Sequence, residues 1–110
     1  MIKLKMLNNI AFGNKEFIGQ LLQSALEDIR SSKTKLTKHR DLPKKTLFSE
    51  VHNLKTTLSM LEASEHIQSC QLILDGIQDD NREQVIESLD QFLLSLSEIE
   101  NAVEAEIERR

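Results

Sequence analysis

Four side chains with reactive or hydrogen-bonding groups follow one another at helical spacing in the middle of the chain. They stand at positions i, i+3, i+4 and i+7, and they are His52, Lys55, Thr56 and Ser59. In an α-helix these spacings place all four on one stripe of the surface. A neutral imidazole is a nucleophile near pH 7, and a lysine one turn further on is able to hold an anion delivered to the ring nitrogen. His52 and Lys55 are therefore the candidate catalytic pair.

The same stripe continues toward the N-terminus through Lys45 and Phe48. The small side chains of Thr56 and Ser59 leave room for another protein to approach the imidazole, and an exposed Phe48 would give that protein an apolar contact. Lys45, Phe48, Thr56 and Ser59 are thus predicted to bind a partner. The alternative interpretation is a solvated polar face on which His52 is incidental.

The apolar residues of this segment indicate how His52 is presented. Projected at about 100° per residue, they cluster on the side away from the polar stripe: Leu47, Val51, Leu54, Leu58 and Leu61. Asp41 is interpreted as the N-cap of this third helix and Pro43 as part of its first turn, with the end near Glu62. We expect His52 to be exposed in the middle of a rigid helix.

Helical periodicity covers the remaining segments as well. A short helix is expected before Gly13, with one apolar face formed by Leu4, Leu7, Ile10 and Ala11. Asn14 is expected to cap a second helix that reaches about Lys35. The apolar stripe of this helix is Phe17, Ile18, Leu21, Leu22, Ala25 and Ile29. Ser64 is expected to cap a fourth helix, with Ile67, Cys70, Leu74 and Ile77 as its apolar stripe. Asp80 and Glu83 stand in capping-box spacing at the start of a fifth helix, whose stripe is Val85, Leu89, Phe92, Leu96, Ile99 and Val103. These features predict an all-α fold: one domain over residues 1–110, an antiparallel four-helix bundle with a short additional N-terminal helix.

Composition narrows the classes of function. The net charge of −4 argues against a general binder of nucleic acid or of anionic membranes, and a single cysteine favours a reducing compartment. No apolar run is long enough to cross a bilayer. We expect a cytoplasmic, monomeric protein with no nucleic-acid or membrane contact by this domain.

Around His52 the sequence resembles the histidine-containing phosphotransfer (HPt) domains of two-component phosphorelays. That family's motif has a leucine two residues and a lysine three residues after the histidine, then small residues, a Leu-Gly-Ala turn and often a cysteine eighteen residues on. The matching residues here are His52, Leu54, Lys55, Thr56, Thr57, Leu61, Ala63 and Cys70. The segments on either side also resemble the family's helices, so the likeness covers nearly the whole chain. Two residues depart from the motif, because Thr56 and Glu62 stand where the family has glycine.

The resemblance implies a phosphocarrier rather than an autonomous kinase. His52 would accept a phosphoryl group from the aspartate of a receiver domain and pass it to the aspartate of another receiver, with Lys55 stabilising the phosphoryl oxygens. Its partners would be receiver domains of response regulators or hybrid histidine kinases. The resemblance is also compatible with a cytoplasmic fragment of a membrane-anchored hybrid sensor kinase. It would need no cofactor or metal of its own, because Mg²⁺ is expected in the partner receiver.

Three other functions were weighed against this one. The segment "HNLKTTLS" superficially resembles the phosphoacceptor and dimerisation domain of a sensor histidine kinase, but Asn53 and Thr57 replace that motif's acidic residue and proline. A helical adaptor with no phosphotransfer is a second alternative. A metal site is the weakest, since His39, His52 and His66 fall in different segments without ligand spacing.

Overall fold

The computed structural model describes residues 2–110 and contains five α-helices in that range. They are α1 (Lys5–Ile10), α2 (Lys15–Leu36), α3 (Lys44–Met60), α4 (Ser64–Gln78) and α5 (Arg82–Glu108). A short 3-10 turn, His39–Asp41, lies between α2 and α3. No strand occurs in the described residues. The all-α prediction is therefore confirmed.

The four long helices form a ring in which each packs on its neighbours in sequence. The main contacts join α2 with α3, α3 with α4, α4 with α5, and α5 back to α2. The connections between α3, α4 and α5 are only three residues long, so successive helices must run in opposite directions. The product is an antiparallel four-helix bundle measuring 43 × 20 × 20 Å, with α1 packed against α2.

One continuous core fills the space between these helices. Every residue of the predicted α5 stripe is buried, as are the five apolar residues predicted for the inner face of α3. Two predicted core residues near the N-terminus are exposed, Ile10 at 45% and Phe17 at 42%, and Leu4 and Leu21 are half-buried. Ile10 and Phe17 lie at the end of the bundle, where no further helix covers them, and periodicity alone does not reveal where a bundle ends.

The helix starts agree only in part with the predicted caps. The side chain of Asn14 accepts a hydrogen bond from the Phe17 amide at 3.0 Å, which confirms the cap of α2. The other three predicted caps are wrong. Asp41 lies in the 3-10 turn, and Pro43 is the N-cap residue of α3. The N-cap residue of α4 is Ala63 and not Ser64, and that of α5 is Asn81 and not Asp80. Asn81 accepts from the Gln84 amide, and its own side-chain amide donates to Gln84 Oε1 at 2.7 Å.

Three helices end through non-glycine residues in the left-handed conformation. Phe12, Glu62 and Asp80 have φ of 51°, 54° and 55°, and each follows the last turn of its helix. The next residue in each case donates its amide to a carbonyl five residues earlier, which is the Schellman pattern. This explains why Asp80 ends α4 and does not begin α5.

Ion pairs tie the bundle together on its outer surface. Arg30 and Lys33 of α2 contact the carboxylates of Glu100 and Glu104 on α5, and Lys35 lies 3.1 Å from Glu50 of α3. None of the helices among residues 2–110 combines the length and the apolar character needed to cross a bilayer.

We predict that removing the side chain of Phe12 does not destabilise the bundle. A non-glycine residue in this conformation costs roughly 1 kcal/mol, and the ring is 97% exposed, so Phe12→Gly should be neutral or stabilising by up to about 1 kcal/mol. Phe12→Ala, which keeps the Cβ and loses only the ring, should equal the parent. Urea unfolding measures all three proteins. A loss above about 1 kcal/mol in Phe12→Ala would mean that the ring has an intramolecular contact.

Candidate functional site

The buried face of α3 fixes the direction in which His52 points. Leu47, Val51, Leu54 and Leu58 are held in the core, which sets the rotation of the helix about its axis. His52 then lies on the exposed side in the middle of the helix, as predicted from the periodicity. Its imidazole is accessible to a second molecule from solvent.

Phe48 lies one turn before His52 and is less exposed than predicted. The side chain is half-buried and packs against the edge of the core, so only part of the ring is available to a partner. Its ring is nearly parallel to the imidazole, with centroids 6.3 Å apart and an interplanar angle of 15°. Phe48 therefore forms an apolar wall on one side of His52.

Lys55 lies one turn after His52 and is held by residues of the neighbouring helix. Its Nζ donates a hydrogen bond to Gln71 Oε1 at 2.6 Å, and Gln71 Nε2 donates to Asp75 Oδ1 at 2.9 Å. Because Asp75 accepts from the amide nitrogen, the amide oxygen is turned toward the ammonium. The chain of hydrogen bonds from α4 thus restricts a long side chain that would otherwise sample many rotamers.

The hydroxyl groups of the polar stripe bond to their own helix. Thr56 Oγ1 donates to the His52 carbonyl at 3.3 Å, and Ser59 Oγ donates to the Lys55 carbonyl at 2.8 Å. Thr56 is exposed and Ser59 is half-buried. Their contribution to the site is therefore a small, rigid surface beside the imidazole, because the hydroxyl donors are already engaged.

Lys45 is exposed in the first turn of α3, on the predicted partner-binding stripe. With Lys44, Phe48, Ile77 and Gln78 it lines an open depression of about 390 Å³. The helix dipole disfavours cations in the first turn of a helix. For Lys44 an acidic group of the same chain offsets this effect, since its Nζ lies 2.7 Å from Asp80 Oδ1. Within residues 2–110, no acidic group pairs with Lys45.

The other two histidines have structural surroundings. His66 is buried, with Nε2 3.3 Å from the Ser95 carbonyl and its ring tilted against Phe92. His39 is also buried, and its Nε2 lies 2.8 Å from Asp90 Oδ1. The three histidines thus lie in three separate environments, and only His52 is exposed.

Cys70 is fully buried in the core, as the apolar face of α4 predicted. Burial raises the pKa of the thiol from 9.0 to about 12, and the positive charge of Lys55 opposes this in part. The thiol stays protonated at physiological pH and acts as a small apolar group.

The polar residues Gln68, Ser69 and Gln71 of α4 predict the edge of the docking surface only in part. Gln71 accepts the hydrogen bond from Lys55 of α3. Ser69 faces α5, in a depression shared with Ser88 and Ser95. Asp75, which orients Gln71, was missed. Its spacing of four residues from Gln71 was the one available signal, because i, i+4 polar pairs bond along a helix.

No family model, curated protein or solved structure matches this chain. The resemblance to HPt domains therefore rests on the motif residues of the sequence.

We predict that Cys70 is protected from alkylation until the protein unfolds. With the pKa raised, very little thiolate forms at pH 8, and burial also blocks the reagent, so labelling should be at least about a hundredfold slower than in denaturant. Because the folded state binds this proton more tightly, the stabilisation is complete below pH 9.0 and is lost as pH rises toward 12. Iodoacetamide labelling followed by mass spectrometry measures the rate, with Cys70→Ala as the control. Equal rates in buffer and in denaturant would contradict the buried position.

Proposed function

We propose that this protein is a histidine phosphotransfer domain that carries a phosphoryl group on His52 between receiver domains. The observation that carries the proposal is the exposed imidazole in the middle of α3 with a held ammonium group one turn away. A nucleophile and a cation suffice on this side of the reaction when the partner supplies the metal ion and the other catalytic groups.

The proposed reaction exchanges one bond to phosphorus for another. A nitrogen lone pair of neutral His52 attacks the phosphorus of an aspartyl phosphate in line with the leaving oxygen. The N–P bond forms as the P–O bond breaks, and the receiver's aspartate leaves as a carboxylate. The reverse exchange with a second receiver returns His52 to its free state. Mg²⁺ bound by the receiver would neutralise phosphoryl charge in both directions.

Lys55 would contact the phosphoryl oxygens from the side of α3. The hydrogen bond to Gln71 keeps its ammonium beside the stripe before the partner arrives, which lowers the entropy lost when phosphate binds. A charge-assisted contact to phosphate is stronger than a neutral hydrogen bond. Lys55 therefore assists transfer, while the partner's Mg²⁺ carries most of the electrostatic stabilisation.

The partner's contact surface would follow the stripe on both sides of His52. Lys45 and the exposed part of Phe48 would contact the receiver on one side, and Thr56 and Ser59 on the other. Thr56 replaces the family's glycine and is exposed, so its side chain narrows the space beside the imidazole. We infer that this restricts which receivers fit.

Two features favour the phosphocarrier over the alternatives. The helices α2 to α5 close a bundle within one chain, whereas the dimerisation domain of a sensor kinase completes its bundle with a second chain. The adaptor alternative gives no reason for the hydrogen bonds that hold Lys55 one turn after His52. It also makes a different prediction in the labelling experiment.

We predict that a panel of phosphorylated receiver domains with Mg²⁺ contains members that label this protein at His52, and that ATP alone does not. The label should be acid-labile, as expected for phosphohistidine. His52→Gln should abolish it, and the matched control His66→Gln should retain it if folded by circular dichroism. A helical adaptor predicts no label from any receiver, and label remaining in His52→Gln would refute the assignment.

We predict that Lys55→Ala slows transfer without unfolding the bundle. A charge-assisted contact is worth on the order of 1.5 to 3 kcal/mol, so the rate should fall by roughly one to two powers of ten. The free energy of unfolding should change by less than about 1 kcal/mol, because only the surface contact with Gln71 is lost. Single-turnover transfer and urea unfolding measure the two effects.

The control for charge is Lys38→Ala, an exposed lysine in the loop before α3. It changes the net charge equally and should leave the transfer rate unchanged. An unchanged rate in Lys55→Ala would remove Lys55 from the site. A large loss of stability would show that the polar stripe supports the fold instead.

A further inference from the structure

Three polar side chains are joined by hydrogen bonds at the polar edge of the α3–α4 interface, one turn after His52. We call them the Lys55 network. Lys55 Nζ donates to Gln71 Oε1 at 2.6 Å, and Gln71 Nε2 donates to Asp75 Oδ1 at 2.9 Å. Gln71 and Asp75 are exposed on α4, and Lys55 is half-buried on α3. The network therefore connects the cation of the candidate site to a helix that does not carry the imidazole.

The chemistry of its two neighbours allows only one orientation of the Gln71 amide. An ammonium group only donates hydrogen bonds, so the amide must turn its oxygen toward Lys55. A carboxylate only accepts them, so the amide must turn its NH2 group toward Asp75. Without Asp75 the amide is free to turn over and present its NH2 group to the ammonium, which breaks the hydrogen bond to Lys55. Asp75 thus controls the position of Lys55 without contacting it.

A glutamine at position 71 holds the ammonium group without neutralising it. The amide oxygen is uncharged, so Lys55 keeps its positive charge, and its other N–H groups remain able to donate to a second acceptor. A carboxylate at position 71 would instead form an ion pair with Lys55 and would repel an approaching phosphoryl group. The negative charge of the network belongs to Asp75, which the amide separates from the ammonium. The network therefore presents a positioned cation that is still available to an anion.

We propose that Gln71 and Asp75 are positioning residues for the transfer reaction at His52. This inference rests on the proposed function, because it gives α4 a part in the same reaction. Gln71 fixes the place at which the ammonium group of Lys55 meets the phosphoryl oxygens, and Asp75 fixes the orientation of the Gln71 amide. Both residues act through Lys55, and neither needs to contact the phosphoryl group.

Two substitutions of Gln71 test its role in single-turnover transfer, measured over a series of concentrations of a receiver that labels the parent. Gln71→Ala should lower the maximal rate roughly two- to tenfold, because one long side chain must then be ordered during the reaction, and should leave the half-saturating receiver concentration unchanged. Gln71→Glu should slow transfer further, because its carboxylate neutralises Lys55. The matched controls are Gln68→Ala and Gln68→Glu, at an exposed glutamine three residues earlier on α4, and they should equal the parent.

Two substitutions of Asp75 separate its hydrogen bond from its charge. Asp75→Asn keeps an oxygen that accepts from Gln71 Nε2 and removes the charge, so transfer should proceed at the parent rate. Asp75→Ala removes both and should slow transfer as Gln71→Ala does. Asp79→Ala removes the same charge from an exposed aspartate at the end of α4 and should leave the rate unchanged. Circular dichroism should show the same helicity in every variant.

A double-mutant cycle and an NMR measurement test whether Gln71 and Asp75 act through Lys55. In the Lys55→Ala background, Gln71→Ala should cause no further loss of rate, because no ammonium group remains to be positioned. In proton–nitrogen spectra of the free protein, the side-chain amide signal of Gln71 is identified by its absence in Gln71→Ala. It should shift in Asp75→Ala and in Lys55→Ala and stay in place in Asp79→Ala. The NMR measurement needs no receiver and therefore checks the network independently of the proposed function.

Several results would overturn the positioning role. If the parent is labelled at His52 but Gln71→Ala and Asp75→Ala transfer at its rate, this inference is wrong and the proposed function stands. Absence of label in the parent would refute both. A higher half-saturating receiver concentration in Gln71→Ala with an unchanged maximal rate, or a further loss in the Lys55→Ala background, would mean that Gln71 binds the partner itself. Faster transfer in both Asp75 variants would mean that its charge opposes the phosphoryl group.

Discussion

The rotational phase of α3 is the constraint on which the candidate site depends. Once Leu47, Val51, Leu54 and Leu58 are buried, every other residue of the helix has a fixed direction. His52 follows Val51 by about 100°, which takes it out of the core and onto the surface. A helix packed on two neighbours through its apolar face has little freedom to rotate, so the imidazole is presented without a loop or a hinge.

The candidate site also depends on α4. Lys55 belongs to α3, but the direction of its ammonium group is set by Gln71 and Asp75 on the adjacent helix. The same interface buries Cys70 close enough for the charge of Lys55 to affect its pKa. The α3–α4 interface therefore has two parts, since its apolar layer supports the fold and its polar edge holds Lys55, the cation that the proposed function uses, one turn after His52.

Periodicity predicted the features that depend on the direction of side chains along one helix. The α5 stripe and the exposure of His52 are examples, because they follow from 3.6 residues per turn and a single buried face. The failures concern residues whose surroundings come from other segments. Phe48 is half-buried because the adjoining core covers part of its ring, and Lys44 finds its acidic partner in Asp80 across the bundle end.

The predictions of N-cap residues failed for a related reason. Asp80 has the composition of a cap, but the end of α4 places it in a left-handed turn, and Asn81 caps α5 instead. When two helices are joined by three residues, one residue cannot both end the first and cap the second. The conformations of the three connecting residues depend on one another. The sequence alone therefore does not show whether Asp80 or Asn81 caps α5.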